Sequence, residues 1–110
     1  MNVYEEAHNL ARAIKDSNEF KEYDEKRKLM EADDDSNNMI KELQSLQLQI
    51  QAKQLAGEQA DPDMVQRMQS LYTMVMTKPL ATDYLQAEAR FSIMMKDVYE
   101  ILADVVKLQF

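Results

Sequence analysis

The sequence predicts an all-α fold, an antiparallel helical bundle of about five helices with a long C-terminal helix. Three observations carry this. The chain of 110 residues holds one glycine and two prolines, far below the usual shares of roughly 7% and 5%, so the turns that a β-rich fold needs are missing. Apolar residues make up 45%, enough for a core. They recur at steps of three and four, the period of a helix with one covered face. The length suits a single helical domain over residues 1–110.

The first helix is expected from about Asn2 to Lys15, where Val3, Ala7, Leu10 and Ile14 repeat at helical spacing with Tyr4 and Ala11 beside them. Asp16, Ser17 and Asn18 break it. Asp16 or Ser17 can cap the second helix, and Glu19 stands three residues after Asp16, as in a capping box. That second helix carries Phe20, Tyr23 and Met30 in otherwise charged surroundings.

The third helix should start near Ser36 and end just before Gly57. Met39, Leu43, Leu46 and Ile50 step by 4, 3 and 4, a narrow seam of coiled-coil period. Gln44, Gln47, Gln49, Gln51 and Gln54 form its polar faces. Gly57 follows the last helical residue, where a left-handed C-cap is wanted. Asp61 and Pro62 supply an N-cap and a first-turn proline for the fourth helix, expected to reach Met76. Its apolar face is Val65, Met68, Leu71 or Tyr72, and Val75. Pro79 marks a break. Then Leu80, Tyr84, Ala87, Phe91, Met94, Val98, Ile101, Val105 and Leu108 alternate steps of 4 and 3, with further apolar rows at Met95 and Leu102 and at Tyr99 and Val106. The C-terminal half of that helix is apolar around much of its girth and must be covered on more than one side.

Candidate chemistry is sparse. Asp33, Asp35 and Asn37 alternate like the first ligands of a calcium loop. The pattern then fails: the loop's sixth position is Asn38 rather than glycine, its ninth is Lys41, and its twelfth is Gln44 rather than a bidentate glutamate. A helix start capped by Asp34, Asp35 or Ser36 explains the cluster better. His8 is the only histidine and cysteine is absent, which removes thiolate zinc and iron–sulfur ligation by this chain alone. Glu5 and His8 make one Glu-x-x-His pair of a di-metal carboxylate bundle, whose template needs two. Ser17, Ser36, Ser45, Ser70 and Ser92 lack a nucleophile motif. Glu88 reads as a charge at the seam's edge, paired with an arginine such as Arg67. The nine methionines are expected mainly to fill irregular core space.

The net charge is −7, with eleven acids against six bases in residues 1–38. Such a surface is a poor match for nucleic-acid phosphates, so no direct nucleic-acid binding is expected. The charged, amphipathic MNVYEEAHNLARAIK is unlike a signal peptide, and no apolar run approaches the roughly 18 residues of a membrane span. A cytoplasmic protein with no membrane contact is the expectation.

Three stretches carry a family resemblance. NVYEEAHNLARAIKDSNEFKEY, LQIQAKQLAGEQ and PLATDYLQAEARFSIMMKDVYEILADVV are similar to the N-terminal helices, the end of the long middle helix with its glycine turn, and the C-terminal helix of the YlbF/YmcA family of small bacterial helical proteins, which includes YheA. The resemblance implies an all-α cytoplasmic protein that assembles with itself or with relatives. Some members regulate competence, sporulation and biofilm formation, acting with partners on RNA processing by RNase Y. Some of those complexes hold iron–sulfur clusters through cysteines, which this chain lacks.

The expected function is therefore that of a non-enzymatic regulatory or adaptor protein acting through helical protein–protein interactions, without catalytic residues, metal or cofactor. The alternative is a carboxylate-metal-binding helical bundle with enzymatic activity. A homodimer is expected. A helix over residues 80–108 would be about 43 Å long, against a diameter of about 34 Å for a compact domain of this size. Its apolar end needs a cover, which places Val98, Ile101, Leu102 and Val105 near a dimer interface.

Overall fold

The computed structural model describes residues 2–106. Among them it forms five helices and no strand: α1 Val3–Asp16, α2 Asn18–Glu31, α3 Asp34–Leu55, α4 Pro62–Val75 and α5 Pro79–Val106. Every helix expected from the sequence is present. The seam position Leu108 and the expected end of the last helix lie outside the described residues, as does Met1.

Local chemistry sets the boundaries. The Asn2 side chain accepts from the Tyr4 N–H at 2.8 Å and starts α1. Ser17 alone separates α1 from α2. Its Oγ donates to the Ile14 carbonyl at 2.6 Å and accepts from the Phe20 N–H at 3.1 Å. One hydroxyl thus closes one helix and opens the next. The capping box expected between Asp16 and Glu19 does not form, because Ser17 takes the cap and Phe20, not Glu19, stands at its third position.

Asp33 is the N-cap of α3, one residue before the candidates the sequence suggested. Its carboxylate accepts from the Ser36 N–H at 3.2 Å and from the Ser36 hydroxyl. The Ser36 hydroxyl and backbone hydrogen bonds hold the Asp33 carboxyl below its ordinary range, with Lys78 adding to the shift. Asp35 lies 3.6 Å from the Lys78 ammonium.

α3 ends in a Schellman motif. Glu58 N–H donates to the Lys53 carbonyl at 2.8 Å and Gly57 N–H to that of Gln54 at 3.1 Å. Gly57 has φ of 77°, the left-handed conformation that a residue without a Cβ adopts at least cost. Asp61 caps α4 through the Asp63 N–H at 2.9 Å, with Pro62 in the first turn.

The chain forms two compact units, Met1–Arg27 with Tyr84–Phe110, and Lys28–Asp83. The second unit contains the α3–α4 hairpin. It buries Met30, Ser36, Ile40, Leu43, Leu71, Val75 and Ala81. The buried row of α3 is thus Ser36, Ile40 and Leu43. The expected seam members Met39, Leu46 and Ile50 are half-buried beside it. Leu71 rather than Tyr72 is the buried member of α4, and the Tyr72 hydroxyl accepts from Gln47 at 2.9 Å. Across the same hairpin, Arg67 holds Glu42 with two hydrogen bonds of 2.8 and 2.9 Å. That pairing lowers the Glu42 carboxyl and raises the Arg67 guanidinium from their ordinary values. Arg67 is therefore engaged by Glu42, not by Glu88 as the sequence suggested.

In the first unit, aromatic rings join α2 to α5. Tyr23 stacks on Phe91 with centroids 5.1 Å apart, Phe20 meets Phe91 edge-on at 5.7 Å, and Tyr23 lies 5.9 Å from Tyr84. Tyr84 and Ala87 are the residues of this unit that are buried among those described.

Candidate interaction surface

Beyond the aromatic cluster, the apolar seam of α5 loses its cover step by step among the described residues. Tyr84 and Ala87 are buried, Phe91, Met94 and Val98 are half-buried, and every residue from 101 to 106 is exposed. Of the residues placed at an interface from sequence, Val98 is half-buried, while Ile101 is 67%, Leu102 47% and Val105 84% exposed. Val106, at 55%, belongs to the same apolar arc.

α1 shares this character. None of its residues is buried, although its apolar stripe is pronounced. Val3 and Tyr4 are about as exposed as Val105, at 81% and 79%. Val3, Glu6, Ala7 and Leu10 form one side of a groove of about 410 Å³, and Leu102 of α5 forms the other. The structure therefore brings Leu102 to the start of α1. The sequence shows the α1 stripe as a helical repeat but does not say what covers it. The signal that it lies open, an apolar row with too little opposite it, becomes visible only when the two helices are placed side by side.

A second groove, of about 510 Å³, lies where α2 begins beside α5. Glu19, Glu22 and Asp97 make it acidic, Ile93 and Met94 supply an apolar wall, and Arg90 crosses to Glu22 at 3.0 Å. The carboxylates there do not converge as ligands. Among the described residues no three His, Cys, Asp or Glu side chains come together in a way that could hold a metal ion. His8 and Glu5 are exposed on α1, and Glu88 is half-buried on α5. Met30 is buried, Met39, Met64, Met68, Met94 and Met95 are half-buried, and Met74 and Met76 are exposed, so the methionines serve the core only in part. No helix among the described residues is long and apolar enough to cross a membrane.

Among the described residues, fold and surface define an arrangement of five helices, the longest of which carries an exposed apolar face over residues 101–106. Comparison with known proteins makes the class specific. Residues 3–107 match the model of the family described as control of competence regulator ComK, YlbF/YmcA, and the chain belongs to that family. A UPF0342 protein of Desulfitobacterium hafniense is 35% identical over 96% of this chain and 86% of its own length. A UPF0342 protein of Caldicellulosiruptor bescii is 32% identical over 98% of this chain and 91% of its own. The fold also matches a solved structure, a protein of unknown function (DUF964) from Bacillus stearothermophilus, with a TM-score of 0.79 and 20% identity over 96% of this chain and 92% of that one.

Proposed function

We propose that this chain is a non-enzymatic regulatory or adaptor protein that acts through its helical surfaces, first by pairing with itself. The observation that carries the reading is the apolar arc of α5, where Ile101, Leu102, Val105 and Val106 stand exposed together. Covering a large apolar side chain is worth roughly 1.5–3 kcal/mol, so leaving several in water is costly. A second copy is the simplest cover, and a two-fold dimer is the commonest closed solution. Val98, Ile101, Leu102 and Val105 would lie at that contact. The family description supports a regulatory role. Related family members are natural further partners, because they share the helical pattern.

In this reading residues 1–110 act as one helical domain in the cytoplasm. The domain should unfold in urea in a single transition, and two separated transitions would divide it. Replacing Leu102 with Glu tests the pairing: the variant should run as a monomer or aggregate on a sizing column, and unchanged assembly would remove α5 from the contact. Metal analysis tests the non-enzymatic part. Stoichiometric iron, manganese or zinc in the purified protein would replace it with a carboxylate-metal bundle.

A further inference from the structure

α1 and α5 lie side by side at one end of their unit, and neither stripe is closed. Leu10, Ile14 and Val98 are half-buried, while Val3 and Val105 exceed 80% exposure, at 81% and 84%. Two helices cover only part of each other's apolar face. Stripes that are half-covered along a shared groove are what half of a four-helix bundle presents.

We propose that α1 is the second half of the dimer contact, with the α1–α5 pair of one copy seated face to face on that of a second copy and α1 antiparallel to α1. This rests on the homodimer reading and extends it to residues of α1. Area supports a second copy as the occupant. Val3, Tyr4, Ile101, Leu102, Val105 and Val106 are exposed together. At roughly 60–120 Å² for each large apolar side chain, the six amount to roughly 360–720 Å², a large part of the roughly 800 Å² per partner of a stable interface.

The stripe of α1 then selects the arrangement. Two kinds of two-fold axis can bring such pairs face to face. An axis along the helices lays α1 on the partner's α5. An axis across the helices lays α1 on α1 and α5 on α5. The stripe of α1 fits itself in the second sense. Val3, Ala7, Leu10 and Ile14 are spaced 4, 3 and 4, the same in either direction, so Val3 meets Ile14 and Ala7 meets Leu10.

The chain has no cysteine, so introduced thiols report unambiguously. In this register Ala7→Cys sits about 4.5 Å along the axis from its copy in the partner, and Val3→Cys about 16 Å from its own. A short bismaleimide should link Ala7→Cys into dimers and leave Val3→Cys unlinked. An equal mixture of Val3→Cys and Ile14→Cys proteins should link across. Circular dichroism confirms that each variant is folded. If the parent is a dimer disrupted by Leu102→Glu but Ala7→Cys does not link, α1 lies outside the contact and the inference fails while the homodimer stands. Self-linking of Val3→Cys would overturn the antiparallel register. Linking of Ala7→Cys only to a different protein would overturn the choice of a second copy. A monomeric parent would overturn both readings.

Discussion

The two units of this chain solve the same problem to different degrees. Lys28–Asp83 buries Ile40, Leu43, Leu71 and Val75 almost completely and ties its hairpin with the Arg67–Glu42 pair and the Schellman turn at Gly57. The unit of Met1–Arg27 and Tyr84–Phe110 contains the most regular apolar seam in the sequence, yet among its described residues it buries only Tyr84 and Ala87. The difference shows that a strong apolar period states that a face must be covered and is silent about what covers it. α3 has its cover in α4, within the chain. Among the described residues, α1 and α5 from Ile101 to Val106 have none of comparable extent.

The comparison breaks most readily at Leu43, which is 1% exposed. Leu43→Ala should cost about 2–5 kcal/mol in urea unfolding and leave the assembly state unchanged. Val105, at 84% exposure, should behave oppositely. Val105→Ala should leave dilute-solution stability nearly unaltered and weaken association instead. A Val105→Ala loss as large as that of Leu43→Ala, independent of protein concentration, would erase the distinction between the units.

Backbone and cap effects come next. Gly57→Ala should cost about 1 kcal/mol. The penalty is conformational, since a Cβ at this position meets nothing within 4 Å. Ser17→Ala should also cost about 1 kcal/mol, because it removes the hydroxyl shared by α1 and α2. Unchanged urea melts for either variant would mean that the turn or the cap forms otherwise than described.

The smallest effect concerns pH and metal ions. The Asp33 and Glu42 carboxyls are held below their ordinary values by Ser36 and by Arg67. Their contribution is therefore fully present above the unfolded carboxylate range near pH 4, and is lost as pH falls through the lowered folded values. The raised Arg67 value acts in the other direction, since its contribution would be lost only at strongly alkaline pH. Asp33→Asn with Glu42→Gln should therefore flatten the acid limb of the stability profile. An unaltered limb would show that these groups do not set it. The same Asp33–Asn38 segment should give equal melting temperatures in calcium and in chelator, and a rise of many degrees in calcium would overturn its reading as a helix start.

Much of this architecture is legible in the sequence. Scarce glycine and the three-and-four spacing give the five helices of the described residues, and Gly57, Asp61, Pro62 and Pro79 mark their ends because each acts locally, the glycine and prolines through their own backbone and Asp61 through a side chain that reaches only to the Asp63 N–H. What was missed depends on neighbours. Asp33 caps α3 because Ser36 turns inward, fully buried, and donates to it. The buried row of α3 runs through Ile40 rather than Met39 because α4 decides which side is covered. Arg67 chose Glu42, a partner 25 positions away. At the candidate surface, the α5 residues were singled out from their excess of apolar rows, and Ile101, Leu102 and Val105 are exposed. The exposure of Val3 and Tyr4 on α1 was not anticipated, because a single apolar stripe looks the same whether or not the chain covers it.

The central claim is that a second copy covers the apolar end of α1 and α5. Light scattering on a sizing column, run across micromolar concentrations, tests it most directly. The account predicts about twice the chain mass of 12.8 kDa. A clean monomer throughout that range would contradict it.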